Sequence, residues 1–107
     1  MRYDVLVTTG AEADVLGIWL YVAENDSMEA ADYVIGQIKD LVESLHQLPT
    51  RGHVPPELER VGVRDYLQLH FKPYRIIYHV SRDTVEVYCV IDRRRDMQTL
   101  LLDRLLR

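Results

Sequence analysis

Two β-rich runs joined by a short polar turn constrain the fold of this chain more than any other feature. Residues 74–80 read YRIIYHV and residues 85–91 read VEVYCVI, and both are rich in the β-branched and aromatic side chains that favour strands. The polar residues between them are typical of a hairpin turn. Arg75 lies inside the first run, and its permanently charged guanidinium must reach solvent, pair with a carboxylate or meet an anionic partner.

Helical periodicity dominates the first half of the chain. Residues 11–24 carry apolar side chains at helical spacing after the capping hydroxyls of residues 8–9. A second helix of about six turns follows the capping residues 26–27 and ends at Pro49. The link between the two helices is short, which predicts an antiparallel pair.

The remaining segments complete a simple order of elements. Residues 49–60 contain two adjacent prolines, which predict an extended loop. Residues 63–71 alternate between apolar and polar side chains and predict a strand, and Lys72-Pro73 predicts a turn into the hairpin. From residue 96 onwards the apolar spacing predicts a short amphipathic helix.

Grouped helices followed by grouped strands predict the α+β class. We expect an antiparallel sheet, made of a first strand at residues 3–8 and the three-stranded C-terminal meander, packed against the N-terminal helix hairpin. A short C-terminal helix ends the fold. One sheet face is expected to stay partly open and to display Arg64, Tyr66, Gln68, Arg75, Ile77 and His79.

Length and composition limit the class of protein. A chain of 107 residues with 48% apolar and 28% charged residues predicts one ordered domain over residues 1–107. Cys89 is the single cysteine, and without CxxC or Cys/His ligand spacing we expect neither a metal nor a cofactor. The sequence contains no signal-peptide pattern and no apolar run of membrane length, so a cytoplasmic location is expected.

Charge is unevenly spread along the chain. Residues 1–60 hold four Lys or Arg against eleven Asp or Glu, a net −7, whereas residues 61–107 hold nine against six, a net +3. This asymmetry favours oriented docking to a charged partner, although ordinary surface solvation would give the same count. The overall charge of −4 disfavours a protein whose main task is to grip a nucleic-acid backbone.

Five short motifs follow one another along the chain: ADVLGIWLYVA at residues 13–23, AA at 30–31, LHQLPTRG at 45–52, YRIIY at 74–78 and RRDMQTL at 94–100. This ordered set resembles the RelE/ParE superfamily of toxins from type II toxin–antitoxin systems. The resemblance covers about residues 3–105. It implies two helices on an antiparallel sheet, in agreement with the periodicity.

The resemblance implies one of two activities. Members similar to RelE cut messenger RNA on the ribosome with basic residues and a Tyr or His near the C-terminus, whereas members similar to ParE inhibit DNA gyrase without that set. Arg75 matches the strand arginine of the family, and Arg95 matches a second basic position. Residues 100–107 contain no Tyr or His, which favours the ParE-like branch. A nuclease would instead rely on Arg75, Arg95 and Lys72.

The basic residues are the candidates for binding. Arg75 has three interpretations: a cross-strand pair with Asp65 or Glu86, contact with a partner, or stabilisation of phosphate charge. Three adjacent arginines at residues 93–95 repel one another unless an anion is near, so a docking patch is favoured over a solvated strand exit. The residues predicted to bind the target or the antitoxin are Arg64, Lys72, Arg75, Arg93, Arg94 and Arg95. No residue is assigned a catalytic role.

Aromatic and imidazole side chains have structural alternatives. His70 and His79 could face each other on neighbouring strands, but ordinary surface imidazoles are favoured over a metal pair. The strand tyrosines could stack on a base, yet Tyr74 and Tyr78 are better explained as core residues.

The expected partners follow from the resemblance. A cognate antitoxin with a partly disordered acidic segment would fold onto the basic sheet half. DNA gyrase is the expected target, and neither a membrane nor stable direct nucleic-acid binding is expected. The protein would form a homodimer or a hetero-oligomer with the antitoxin. A third alternative is an inactive relative that only binds an antitoxin.

Overall fold

The computed structural model describes residues 2–92 and 96–105, and it contains four strands and four helices within them. The element bounds are β1 Asp4–Val7, α1 Thr9–Asn25, α2 Met28–Ser44, α3 Pro56–Glu59, β2 Tyr66–Phe71, β3 Tyr74–Ser81, β4 Thr84–Asp92 and α4 Met97–Leu105. The α+β class, the helix pair, the meander and the short C-terminal helix are confirmed. None of these helices is long and apolar enough to cross a bilayer.

The four strands form one sheet in the order β1-β4-β3-β2. The meander β2-β3-β4 is antiparallel as predicted, but β1 pairs with β4 in parallel, with Asp4 opposite Thr84 and Val7 opposite Val87. The sheet is therefore mixed, and the prediction of a purely antiparallel sheet is wrong for β1. Parallel pairing requires a long crossover, which the helix hairpin supplies, and alternation within one strand carries no information on its direction.

Hydroxyl caps begin both long helices. The Thr8 hydroxyl accepts a hydrogen bond from the Ala11 amide at 3.2 Å, and the Ser27 hydroxyl accepts one from the Ala30 amide at 3.0 Å. Such caps satisfy amides that have no partner inside the helix. α2 ends at Ser44 rather than beside Pro49, because residues 45–47 form a turn.

The main core lies between the helix pair and one face of the sheet. Ile38 and Leu45 from the helix side meet Ile76 and Tyr78 from β3, and all four are almost fully buried. Burying such a side chain contributes about 1.5–3 kcal/mol. Tyr74 and Tyr78 belong to this core, as the sequence predicted.

A loop covers the outer edge of β2. His53 and Gln68 exchange two backbone hydrogen bonds, at 3.2 and 2.7 Å, so the middle of this edge is not open to another chain. Gly52 permits this approach: a Cβ there would lie 2.5 Å from the Tyr78 hydroxyl and 2.6 Å from the Gln68 carbonyl oxygen.

The opposite face of the sheet is covered by α3 and α4 rather than left open. Leu58 of α3 and Leu101 of α4 pack with Ile77, Cys89 and Ile91 in a second buried cluster. The prediction of an extended loop over residues 49–60 is therefore wrong for Pro56–Glu59, which form α3. Pro56 takes the first position of α3, where its missing N–H costs nothing. The strand predicted from residue 63 begins at Tyr66.

Candidate functional site

The strand arginine Arg75 is sealed inside the protein. Its Nε donates to Gln68 Oε1 at 2.6 Å, and its two terminal nitrogens donate to the Glu57 carboxylate, each at 2.8 Å. Only 6% of the residue is exposed. Of the three interpretations of Arg75, the structure supports the ion pair. The partner, however, is Glu57 of α3 rather than Asp65 or Glu86.

Sequence reasoning missed Glu57, the partner of Arg75. α3 carries its carboxylate over the sheet, and the chain around it had been assigned to an extended loop. The hydrogen bonds from Arg75 hold the pKa of Glu57 below its usual value, against the opposing effect of burial. A Pro-Pro-Glu sequence opening a short helix was the available signal, because proline is favoured at the first helical position.

A second ion pair fastens the C-terminal helix. Arg104 of α4 donates to both carboxylate oxygens of Asp14, each at 3.1 Å, and to the Tyr88 carbonyl oxygen at 3.1 Å. Asp14 also accepts the Val90 amide at 3.0 Å. The hydrogen bond to Asp14 raises the pKa of Arg104, and the arrangement links α1, β4 and α4. Sequence reasoning did not single out Arg104 or its partner.

The other basic candidates lie apart from one another. Arg64 is exposed and donates to Glu59 at 2.6 Å, and Lys72 is exposed in the turn between β2 and β3. The arginines at residues 93–95 lie outside the described residues, so their predicted role stays a prediction. Within the described part of the chain, Arg64 and Arg75 pair with two different acids of α3, Glu59 and Glu57.

Three rings form a patch on the sheet face beyond α3 and α4. The Tyr66 ring centroid lies 5.7 Å from that of His79 and 5.6 Å from that of Tyr88. Burial is the largest cause of the raised pKa of both tyrosines. His70 pairs with Arg75 and His79 with Tyr66 across the strands, so the two histidines do not face each other as suggested. Among the described residues, no group could hold a metal ion.

The fold is that of a small α+β protein, with a helix hairpin on a four-stranded sheet. The sequence model of the ParE toxin of type II toxin–antitoxin systems, parDE, matches residues 5–97. The chain belongs to this family. Among curated proteins, none is similar enough in sequence to count as a match.

Two solved structures share the fold at low sequence identity. A chain of the chromosomal ParDE toxin–antitoxin system from P. aeruginosa has a TM-score of 0.71 and 18% identity, covering 85% of this chain and 96% of that one. A chain of the toxin–antitoxin complex RelBE2 from Mycobacterium tuberculosis has a TM-score of 0.63 and 19% identity, covering 89% of this chain and 95% of that one. The resemblance found in the sequence is confirmed at the level of the superfamily.

Proposed function

We propose that this chain is a ParE-like toxin that acts in the cytoplasm, inhibits DNA gyrase by protein binding and is neutralised by a cognate antitoxin. The observation that carries the proposal is the burial of Arg75 against Glu57 and Gln68. The match to the ParE toxin family and the net charge of −4 support the same branch.

RNA cleavage would require the guanidinium of Arg75 to be free to contact a phosphate. Stabilising the charge that develops on a phosphate requires N–H donors that touch its oxygens. Three of the five donors of Arg75 are already engaged, and the residue is only 6% exposed. Releasing it would leave the Glu57 carboxylate half-buried without its partner, which is costly. A buried structural role for Arg75 therefore favours inhibition by binding over RNA cleavage.

Expression in bacterial cells tests the choice of target. Inhibition of gyrase predicts growth arrest accompanied by a DNA-damage response, with transcripts left intact. Co-expression of the antitoxin restores growth. Arrest with transcripts cut at ribosomal A sites, and with normal gyrase supercoiling, would contradict the proposal and favour the RelE-like nuclease. Normal growth would favour the inactive antitoxin binder.

We also propose that Arg64, Lys72 and the arginines at residues 93–95 contribute to binding of the target or the antitoxin. Arg64 and Lys72 are exposed, so alanine substitution removes charge without opening the core. We expect the double variant Arg64→Ala/Lys72→Ala to weaken growth arrest, while the matched control Lys39→Ala/Arg82→Ala, which removes the same charge at exposed positions of α2 and of the β3-β4 turn, keeps it. Equal toxicity of both variants would remove Arg64 and Lys72 from the binding surface.

A further inference from the structure

A row of directly paired side chains crosses all four strands on the sheet face that α3 and α4 partly cover. Tyr66 of β2 lies opposite His79 of β3. Glu86 of β4 lies opposite both His79 and Leu6 of β1. Directly paired residues project from the same face of a sheet. Leu6 is 56% exposed and the other three are half-buried, so solvent reaches the whole row.

A β-bulge adds one more ring to this row. The register of β3 and β4 shifts between Ile77 and Tyr78, which leaves Tyr88 of β4 as an extra residue with no opposite residue on β3. Bulges of this kind re-aim a side chain and are frequent next to functional sites. Here the ring of Tyr88 lies against Tyr66, with 5.6 Å between the ring centroids. We call Tyr66, His79 and Tyr88 the aromatic patch.

The rings of the aromatic patch are inclined rather than stacked flat. The rings of Tyr66 and Tyr88 meet at 81°, and those of Tyr66 and His79 at 55°. Inclined rings leave part of their π faces uncovered by one another, and these faces carry partial negative charge. A cation within about 6 Å of a ring centroid is attracted to such a face, and more strongly where water is partly excluded. The patch can therefore receive a cationic side chain.

Carboxylates flank the aromatic patch. Glu86 lies in the same row, and its Oε2 accepts from the Tyr88 hydroxyl at 3.5 Å. Burial is the largest cause of the raised pKa of Tyr66, and the charges of Asp65 and Glu86 contribute to it. The negative potential of both acids therefore reaches that ring. Asp4 is exposed on β1, on the same face of the sheet. The row itself contains no Lys or Arg.

Arginine fits this set of groups better than other ligands do. A guanidinium can stack on a Tyr or His ring while it donates two N–H groups to a carboxylate, which the ammonium of Lys cannot do. A nucleic-acid base could stack on the same rings, but the acids would repel its phosphates. An acidic segment, such as the one expected of the antitoxin, is repelled in the same way. The toxin's target is the remaining partner.

We infer that the aromatic patch, together with Glu86, is the recognition site for an arginine-bearing segment of the target protein. The inference rests on the proposed function, which supplies that target. It deepens the proposal by adding a cation-binding site to the exposed basic residues, on a different part of the surface. The arginine would complete both a cation–π contact and an ion pair.

Removal of a π face gives the first test. Tyr88→Leu keeps an apolar side chain against the second cluster but removes the ring, whereas Tyr88→Phe keeps the ring and removes only the hydroxyl. We expect Tyr88→Leu to need about tenfold more toxin for half-inhibition of gyrase supercoiling, and Tyr88→Phe to lose clearly less. Equal inhibition by Tyr88→Leu and the unaltered chain would overturn the inference.

Binding of the antitoxin shows whether the fold of each variant is intact. The probe is the product of the neighbouring gene, titrated against the toxin by calorimetry. Tyr88→Leu should bind it as tightly as the unaltered chain does while inhibiting gyrase less. Parallel loss of inhibition and of antitoxin binding would assign a purely structural role to the ring and overturn the inference.

Charge reversal gives the second test. Glu86→Lys places a cation where the arginine would pair, so it should weaken inhibition by about tenfold at low salt. The difference should shrink as salt is added. Asp40→Lys makes the same change in net charge at an exposed position of α2 and should inhibit like the unaltered chain. Equal inhibition by the two variants would contradict the site.

A small probe tests the chemistry without gyrase. The blocked tripeptide glycyl-arginyl-glycine should shift the ring resonances of Tyr66, His79 and Tyr88 in NMR spectra of the toxin. The same tripeptide with citrulline in place of arginine has nearly the same shape and no charge, and it should shift them about tenfold less. Equal shifts by both peptides, or larger shifts by a single-stranded trinucleotide, would overturn the inference.

The outcomes separate this inference from the proposed function. Inhibition of gyrase by the unaltered chain, and equally by Tyr88→Leu and Glu86→Lys, overturns the inference and leaves the proposed function in place. Absence of inhibition by the unaltered chain overturns the proposed function and, with it, gyrase as the source of the arginine. The arginine tripeptide then still decides the chemistry of the aromatic patch, because that titration needs no gyrase.

Discussion

Arg75, the arginine of the YRIIY strand motif, forms a buried ion pair with Glu57. Its guanidinium and the Glu57 carboxylate are both largely withdrawn from water, with side chains 7% and 17% exposed. Withdrawing two charges is repaid only when their geometry is good and their remaining donors are satisfied. The bidentate contact and the hydrogen bond from Nε to Gln68 meet that condition. The strand arginine is thus a structural residue in the free toxin.

Removal of the carboxylate tests this role. We expect Glu57→Gln to lower the free energy of unfolding by about 3–5 kcal/mol, because it leaves a buried cation without an anion. Glu59→Gln breaks only the exposed pair with Arg64 and should cost less than about 1 kcal/mol. Urea unfolding measures both. A double variant, Arg75→Met with Glu57→Leu, should recover most of the loss; equal stability of the two single variants would contradict the structural role.

The same pair makes stability depend on pH in the acid range. Arg75 lowers the pKa of Glu57 from the model-compound value of 4.5, so the unfolded chain takes up the proton first as pH falls. The stabilisation is full above that value and is lost as pH drops through the lower folded value. We expect the unaltered chain to lose more stability in this window than Glu57→Gln does. Parallel pH profiles would show that the pair contributes nothing to acid sensitivity.

Cys89 is expected to be inert. The thiol is fully buried beneath α4, and burial raises its pKa from 9.0 to about 11. Because the thiolate is the reactive form, iodoacetamide at mildly alkaline pH should modify the folded chain very slowly and the denatured chain rapidly. Mass spectrometry measures the modified fraction. Rapid labelling of the folded chain would indicate that α4 opens readily.

The elements differ in how far the sequence determines them. Strong periodicity and clear caps made α1, α2 and the meander predictable, because each buries one face in the main core. α3 is a single turn, too short for periodicity, and its prolines also fit an extended chain. The cover that α3 and α4 give the second sheet face depends on contacts between distant segments. The local sequence pattern therefore revealed Arg75 but not its partner Glu57.

The second buried cluster and the ion pair of Arg104 with Asp14 hold α4 in place, so the stability of this helix is testable separately. We expect Leu101→Ala, in the fully buried position of α4, to cost about 2–5 kcal/mol of local stability. Amide exchange in α4 should accelerate while α1 and α2 keep their protection. Thr99→Ala, at an exposed position of the same helix, is the matched control. Unchanged exchange in α4 after Leu101→Ala would contradict the packing described for the second cluster.

At the scale of the whole molecule, folding pairs acidic residues of the first half of the chain with basic residues of the second half. The acidic first 60 residues and the basic remainder suggested a molecule with two oppositely charged halves. Among the described residues, three ion pairs join those halves: Asp14 with Arg104, Glu57 with Arg75 and Glu59 with Arg64. Three of the nine positive charges counted in residues 61–107 are thereby paired with acids of the first 60 residues. The acids that remain exposed on α1 have no such partner on that helix, since α1 carries no Lys or Arg.

The central claim is that this member of the ParE toxin family inhibits gyrase by binding, and that Arg75 has a structural role in the fold. A supercoiling assay with purified gyrase, with and without the product of the neighbouring gene, tests it most directly. We predict that the toxin blocks supercoiling, that the antitoxin relieves the block, and that the Arg75→Met/Glu57→Leu variant still inhibits. Normal supercoiling at every toxin concentration, together with ribosome-dependent RNA cleavage that the same variant abolishes, would contradict the claim.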